Sequence, residues 1–199
     1  MTSMVLEKRR SLDLKVKIQP ALRADMPAIA QLHDEVWHEV HRGLAPTQID
    51  GSCEDERSRW SQDERSVQLV AKLGDKIVGF GIAGPARDPL LQANAEIQAL
   101  CVHPSVRFRG IGTALSTALA QRLAVVFGAQ QQAGVWISGL NVAAVAFARA
   151  LGAVVEQKSV IRHAISNGGL LTSRLQLALV WDHIEELASH ATALSHIIT

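Results

Sequence analysis

The chain of 199 residues has no tyrosine, only two cysteines and a 4% share of aromatics. Each scarcity excludes something. Without tyrosine, no phenol can serve any reaction as an acid. Cys53 and Cys101 lie far apart, fit no metal-ligand spacing and are too few for a secreted disulfide framework. No apolar run approaches the roughly 20 residues that a membrane helix needs. Residues 1–14 are charged where a signal peptide would be apolar. A reducing cytoplasm is the expected compartment. The formal net charge of +1 leaves no cationic face for nucleic acid or anionic lipid, so neither is expected as a partner. With 48% hydrophobic and 20% charged residues, the chain has the composition of a compact protein and the length for one core.

What is there is a mixture of helical and strand periodicities. Val16–Ala21 suits a short strand. Asp25 offers a helix N-cap with Pro27 in the first turn, and Ile29, Leu32, Val36 and Val40 follow at helical spacing. A second helix is expected within Ser52–Asp63, anchored by Trp60. Val67–Leu73, the turn Gly74-Asp75 and Lys76–Ile82 read as a hairpin. Gly110–Phe127 carries Ile111, Leu115, Leu119 and Leu123 every four residues, and Gly128 stops it. Gly134–Ser138 is a short strand. Asn141 caps a helix that Gly152 ends, and Val154–Ile165 pairs with Leu175–Trp181. The expected architecture is one α+β domain over residues 15–182, with a flexible leader at 1–14. A closing helix, His183–Ile198, packs back on the domain or, as the alternative, meets a second copy in a homodimer.

The segment Glu96-Ile97-Gln98-Ala99-Leu100-Cys101-Val102-His103 changes face along its length. Odd positions are apolar at Ile97 and Ala99, whereas even positions are apolar at Leu100 and Val102. A regular strand keeps one face, so the inversion predicts an inserted residue, a β-bulge, near 99–101. A strand buried on both faces would also blur the parity. A bulge leaves backbone groups unpaired, and these can hydrogen-bond an extended ligand.

Directly after it come Arg107-Phe108-Arg109-Gly110-Ile111-Gly112-Thr113 and a long helix. Glycine lets a backbone approach a phosphate, and the first helical N–H groups have no internal partner, so this turn suits an anion. It is not a P-loop, because no lysine follows Gly112. It is not a dinucleotide turn either: Leu115 stands where a third glycine belongs, and no acid follows at the required distance.

These residues resemble the GNAT superfamily of N-acetyltransferases. Arg107, Gly110 and Gly112 match its Arg/Gln-x-x-Gly-x-Gly/Ala signature, and residues 95–104 look like its bulged fourth strand. Asn141, Ala144, Phe147, Leu151 and Gly152 match its second signature. The resemblance implies a twisted, mostly antiparallel sheet of six to seven strands with flanking helices. It implies acetyl-coenzyme A as the acyl donor, with no metal. Backbone groups of Leu100 and Val102, flanking Cys101, would bind the pantetheine arm. Amides of Phe108, Arg109, Gly110, Ile111, Gly112 and Thr113 would hold the pyrophosphate beside Arg107, and Asn141 and Phe147 would line the opposite wall.

An alkyl amine has a pKa near ~10.4 and is almost wholly protonated at neutral pH, so attack on a thioester benefits from a base. Glu96, which matches a frequent family position, is the expected base. Glu35, His38 and His41 are the alternatives, and each also suits a plain solvated helix face. Cys101 reads better as a small buried side chain than as an acyl carrier. Many relatives carry a tyrosine after the signature phenylalanine that protonates the leaving thiolate. Here that position is Ala148. The leading expectation is acetyl transfer to the primary amine of a small molecule or peptide, by direct attack in a ternary complex. The alternatives are a non-catalytic acyl-coenzyme A-binding module and an interaction protein that has kept only the fold.

Overall fold

A computed structural model of the chain describes residues 16–40, 42, 57, 60, 63–165 and 171–198. The expected leader and nearly all of the expected helix within Ser52–Asp63 lie outside these residues. Strand β1 (Val16–Pro20) leads through a 3-10 turn, Arg23–Asp25, into helix α1 (Met26–Val40). Asp25 does not cap α1 as expected. Its carboxylate reaches back to the amide of Leu22 at 2.9 Å and accepts from Lys72 Nζ at 2.8 Å, closing the turn that precedes the helix.

Strands β2 (Val67–Leu73) and β3 (Lys76–Pro85) form the predicted hairpin, with Gly74 at φ 59°, where a side chain would be strained. Strand β3 runs three residues beyond the expected Ile82. After it come β4 (Ala95–Val102), α2 (Ile111–Phe127), β5 (Ala133–Ser138) and α3 (Val142–Ala150). Strands β6 (Val154–Ile165) and β7 (Leu171–Trp181) and helix α4 (Ile184–Ile198) complete the described chain. The sheet order is β1-β2-β3-β4-β5-β7-β6, and every pairing is antiparallel except β4–β5. That one parallel pair follows from the crossover through α2, since parallel neighbours need a long connection.

Two apolar layers flank the sheet. On one side Ile29 and Leu32 of α1 cover Val70, Phe80, Ile82 and Ala99. On the other, Ile111, Leu115, Leu119 and Leu123 of α2 pack with Ile97, Leu179 and Trp181. Helix α4 joins this second layer through Ile184, Leu187 and Ala191, so the closing helix is docked on its own chain. Trp181 is buried, and its Nε1 donates to the carbonyl of Leu151 at 2.8 Å, tying β7 to the end of α3.

Candidate active site

The predicted bulge lies in β4, one residue before the expected stretch. Ala83 pairs with Ile97 and Ile82 with Ala99, leaving Gln98 as the extra residue. The faces invert across it. Ile97, Leu100 and Val102 all pack towards α2, whereas Ala99 and Cys101 pack towards α1. The parity switch in the sequence is thus the insertion itself.

Beyond the bulge β4 separates from β5. The two strands pair only at Ala95–Ala133 and Glu96–Gly134, then part. Backbone groups alternate sides along a strand, and the amide of His103 bonds to Val78 on β3. Leu100 and Val102 therefore direct their N–H and C=O groups into the opening. Arg107 Nε takes the carbonyl of Val102 at 3.1 Å.

The opening leads to the glycine turn. Gly110 lies at φ 77° and its carbonyl accepts the first helical bond, from Ala114. The amides of Ile111, Gly112 and Thr113 precede that first bond and have no partner within the helix. The side chains of Ile111 and Thr113 are buried, so only their backbone is available to a ligand. Phe108 holds φ 60° with its ring 99% exposed, and Arg109 follows it on the outer side of the turn. Arg107 faces the other way and donates from Nη2 to Glu39 of α1 at 2.6 Å. Asn141 caps α3 by accepting from Ala144 at 3.1 Å, as predicted. The two signatures meet in space: a Cβ on Gly112 would sit 3.4 Å from Cζ of Phe147.

A cavity of about 350 Å³ runs through the gap between β4 and β5. On the α2 side it is lined by Ser116, Asn141, Ala144, Phe147, Ala148 and Trp181. On the α1 side it is lined by His33, Trp37, Trp60, Arg87, Glu96, Cys101 and Trp136. Glu96 is buried and its two oxygens are both engaged. Oε2 accepts from the amide and Nε of Arg87, each at 3.1 Å, and Oε1 accepts from Nη2 at 2.6 Å. Glu35 and His38 do not line the cavity, and His41 lies outside the described residues. Glu35 instead meets Nε2 of His103 at 3.3 Å, and His38 stands edge-on to Trp37.

Sequence reasoning missed Arg87, His33, Trp37, Trp136 and Glu39. Arg87 falls in a loop, and nothing in its neighbours reveals a partner nine residues on. Trp136 was accessible, because alternation in β5 sets it opposite Val135 and Ile137, both packed towards α2. Among the described residues, no three His, Cys, Asp or Glu side chains gather as a metal site would require. No described helix is long and apolar enough to cross a membrane.

The acetyltransferase (GNAT) family model matches residues 29–153, the greater part of the chain. Comparison with curated protein sequences gives no match. The fold is similar to the ribosomal-protein-S18-alanine N-acetyltransferase of Escherichia coli, at 22% identity and TM-score 0.54 over 83% of this chain and 93% of that one. It is also similar to the PaiA N-acetyltransferase of Thermoplasma acidophilum in complex with coenzyme A, at 15% identity and TM-score 0.56, covering 82% and 97%. YncA of Salmonella typhimurium with its cofactor acetyl-CoA gives 18% identity and TM-score 0.58, covering 83% and 91%.

Proposed function

Since the chain belongs to the GNAT acetyltransferase family, we propose that it transfers an acetyl group from acetyl-coenzyme A to a primary amine, by direct attack within a ternary complex in the cytoplasm. The observation that carries this reading is the parting of β4 from β5 immediately beside the glycine turn. Leu100 and the amide of Val102 offer the pantetheine arm backbone partners. The amides of residues 108–113 offer the pyrophosphate a helix start, each charge-assisted bond contributing about 1.5–3 kcal/mol. Phe147 closes this half over Gly112.

Acetyl-coenzyme A supplies a thioester, whose C–S bond breaks as a C–N bond to the amine forms. An ammonium acceptor gives up two protons in all, one to the departing thiolate and one to a base or to solvent. Glu96 is the carboxylate in place for the second. To take the proton it must release one of its bonds to Arg87, or pass the proton through a water. Ala148 supplies no acid. A thiolate with pKa near ~8.5 leaves without one, so the turnover lost is within the ~10²–10⁴-fold typical of general acids.

A second reading, a non-catalytic acyl-coenzyme A-binding module, is favoured by Ala148 and by the engagement of Glu96 with Arg87. The two readings separate in one pair of measurements. Acetyl-coenzyme A at saturation raises the melting temperature under either, because it binds the folded state, and no shift overturns both. Thiol release with a panel of amines then decides for the enzyme. Its absence, with coenzyme bound, decides for the module.

A further inference from the structure

All four tryptophans of this chain line the one cavity between β4 and β5. Trp181 packs with the α2 layer and is committed to the carbonyl of Leu151. The other three line the α1 half: Trp37 from α1, Trp60 from the segment that follows it, and Trp136 from β5. His33 joins them, its ring edge-on to Trp60 with centroids 5.0 Å apart, and Trp60 leans on Phe80 at 5.6 Å. In a protein with 4% aromatics this concentration needs a reason.

Charge narrows it. Among the described lining residues only Arg87 and Glu96 carry formal charge, and they neutralise each other. A polyamine or aminoglycoside would bring several cations, and among the described lining residues the only carboxylate is Glu96, already paired with Arg87. An amino acid would bring a carboxylate to an arginine already bonded to Glu96. A single ammonium on an apolar body needs neither. Ring faces attract it by about 0.5–2 kcal/mol, and flat bodies stack against indoles. Size agrees, because about 350 Å³ must hold both the thioester end of the donor and the acceptor.

Resting on the transferase reading above, we infer that the acceptor is an arylalkylamine. Its ring lies among Trp37, Trp60 and Trp136, and its primary amine reaches the bulged stretch of β4 between Glu96 and Cys101. Aromatic surface on this side selects the acceptor, and the Arg87–Glu96 pair leaves no unpaired carboxylate among the described lining residues for a second cation.

The test is equilibrium binding to the coenzyme A-loaded protein, followed by tryptophan fluorescence and by calorimetry. The probes are 2-phenylethylamine, spermidine and a glycine-terminated peptide. The expected result is that 2-phenylethylamine binds at least ~10-fold tighter than either competitor, that Trp37→Ala loses about tenfold, and that Trp37→Phe stays within about threefold of the parent. Tighter binding of spermidine or of the peptide overturns the assignment. So does an unchanged affinity for 2-phenylethylamine in Trp37→Ala. Thiol release from acetyl-coenzyme A is read in parallel. Binding of 2-phenylethylamine without release supports the pocket assignment and overturns the transferase reading. Release with spermidine alone overturns the pocket assignment and leaves the transferase reading intact.

Discussion

Arg107 of the glycine turn is held by Glu39 of α1, Nη2 to Oε2 at 2.6 Å, while its Nε secures the carbonyl of Val102. The glycine turn is thereby fastened to α1, which walls one side of the cavity. Four residues earlier on α1, Glu35 meets His103 of the same connection. Both contacts are partly exposed, so either one alone contributes under about 1 kcal/mol to stability. Glu39 also neutralises the guanidinium of Arg107, beside the proposed pyrophosphate turn. Glu39→Gln is therefore expected to tighten acetyl-coenzyme A binding about threefold at low salt, and Arg107→Ala to weaken it. Calorimetric titration at two ionic strengths checks this, and a shift of the same sign in both variants contradicts it.

Glu96 and Arg87 make the most buried ion pair of the cavity. Arg87→Ala leaves the carboxylate without its guanidinium, at a cost of about 2–3 kcal/mol, below that of a fully buried pair because Arg87 is one-third exposed. Glu96→Gln keeps the shape and removes the proposed proton acceptor. Turnover is expected to fall by ~10²-fold or more, with coenzyme affinity within about threefold. Unfolding in urea measures the first variant, and kcat with separate coenzyme titration the second. Undiminished kcat in Glu96→Gln removes Glu96 as the base.

Gly110 lies in the left-handed region with open space around it. A side chain there is strained by about 1–2 kcal/mol but meets no neighbour. Gly110→Asn, which tolerates this conformation, is expected to keep both fold and coenzyme affinity within a few-fold. Gly110→Glu adds a negative charge where the pyrophosphate would lie and should weaken acetyl-coenzyme A by ~30-fold or more. Equal affinity in the two variants would place the phosphates elsewhere.

The hydrogen bond from Lys72 holds the carboxyl of Asp25 below its usual range, aided by the Leu22 amide. The unfolded chain, with the ordinary carboxyl value near ~3.9, binds more protons in the window between the two values, so stability rises with pH across it. The contribution is complete above the ordinary range and is lost as pH falls through the depressed folded value. Asp25→Asn should lower the urea midpoint by a constant amount near neutrality, and the difference should vanish in strong acid. A constant difference down to pH 2 would contradict this linkage.

The elements of this fold were legible because their patterns are local. Leu115, Leu119 and Leu123 announce α2, Asn141 its cap on α3, and the parity switch near 99–101 the bulge, which falls one residue earlier at Gln98. Strand neighbours were not legible. Nothing in β7 says that it inserts between β5 and β6, because that choice rests on which apolar faces meet in three dimensions. The site divides in the same way. The glycine turn is one continuous segment and could be read. The carboxylate–guanidinium pair joins residues 96 and 87 by a bend at Asp88–Asn94, and the tryptophan cluster draws on α1, β5 and the segment between α1 and β2. Asp25 is a further instance: its spacing fits an N-cap, yet Lys72 on a neighbouring strand and the Leu22 amide turn it backwards.

The short pairing of β4 with β5 also has a cost. Past Glu96 and Gly134 the two strands no longer pair, so two strand rims face each other inside one sheet, where a foreign strand could add. Proteins normally blunt such rims with charge or proline, yet β5 offers Val135-Trp136-Ile137 there. A ligand threaded between them would act as the missing strand. The empty protein should therefore be the form that associates on concentration or warming, and bound coenzyme should keep it dispersed.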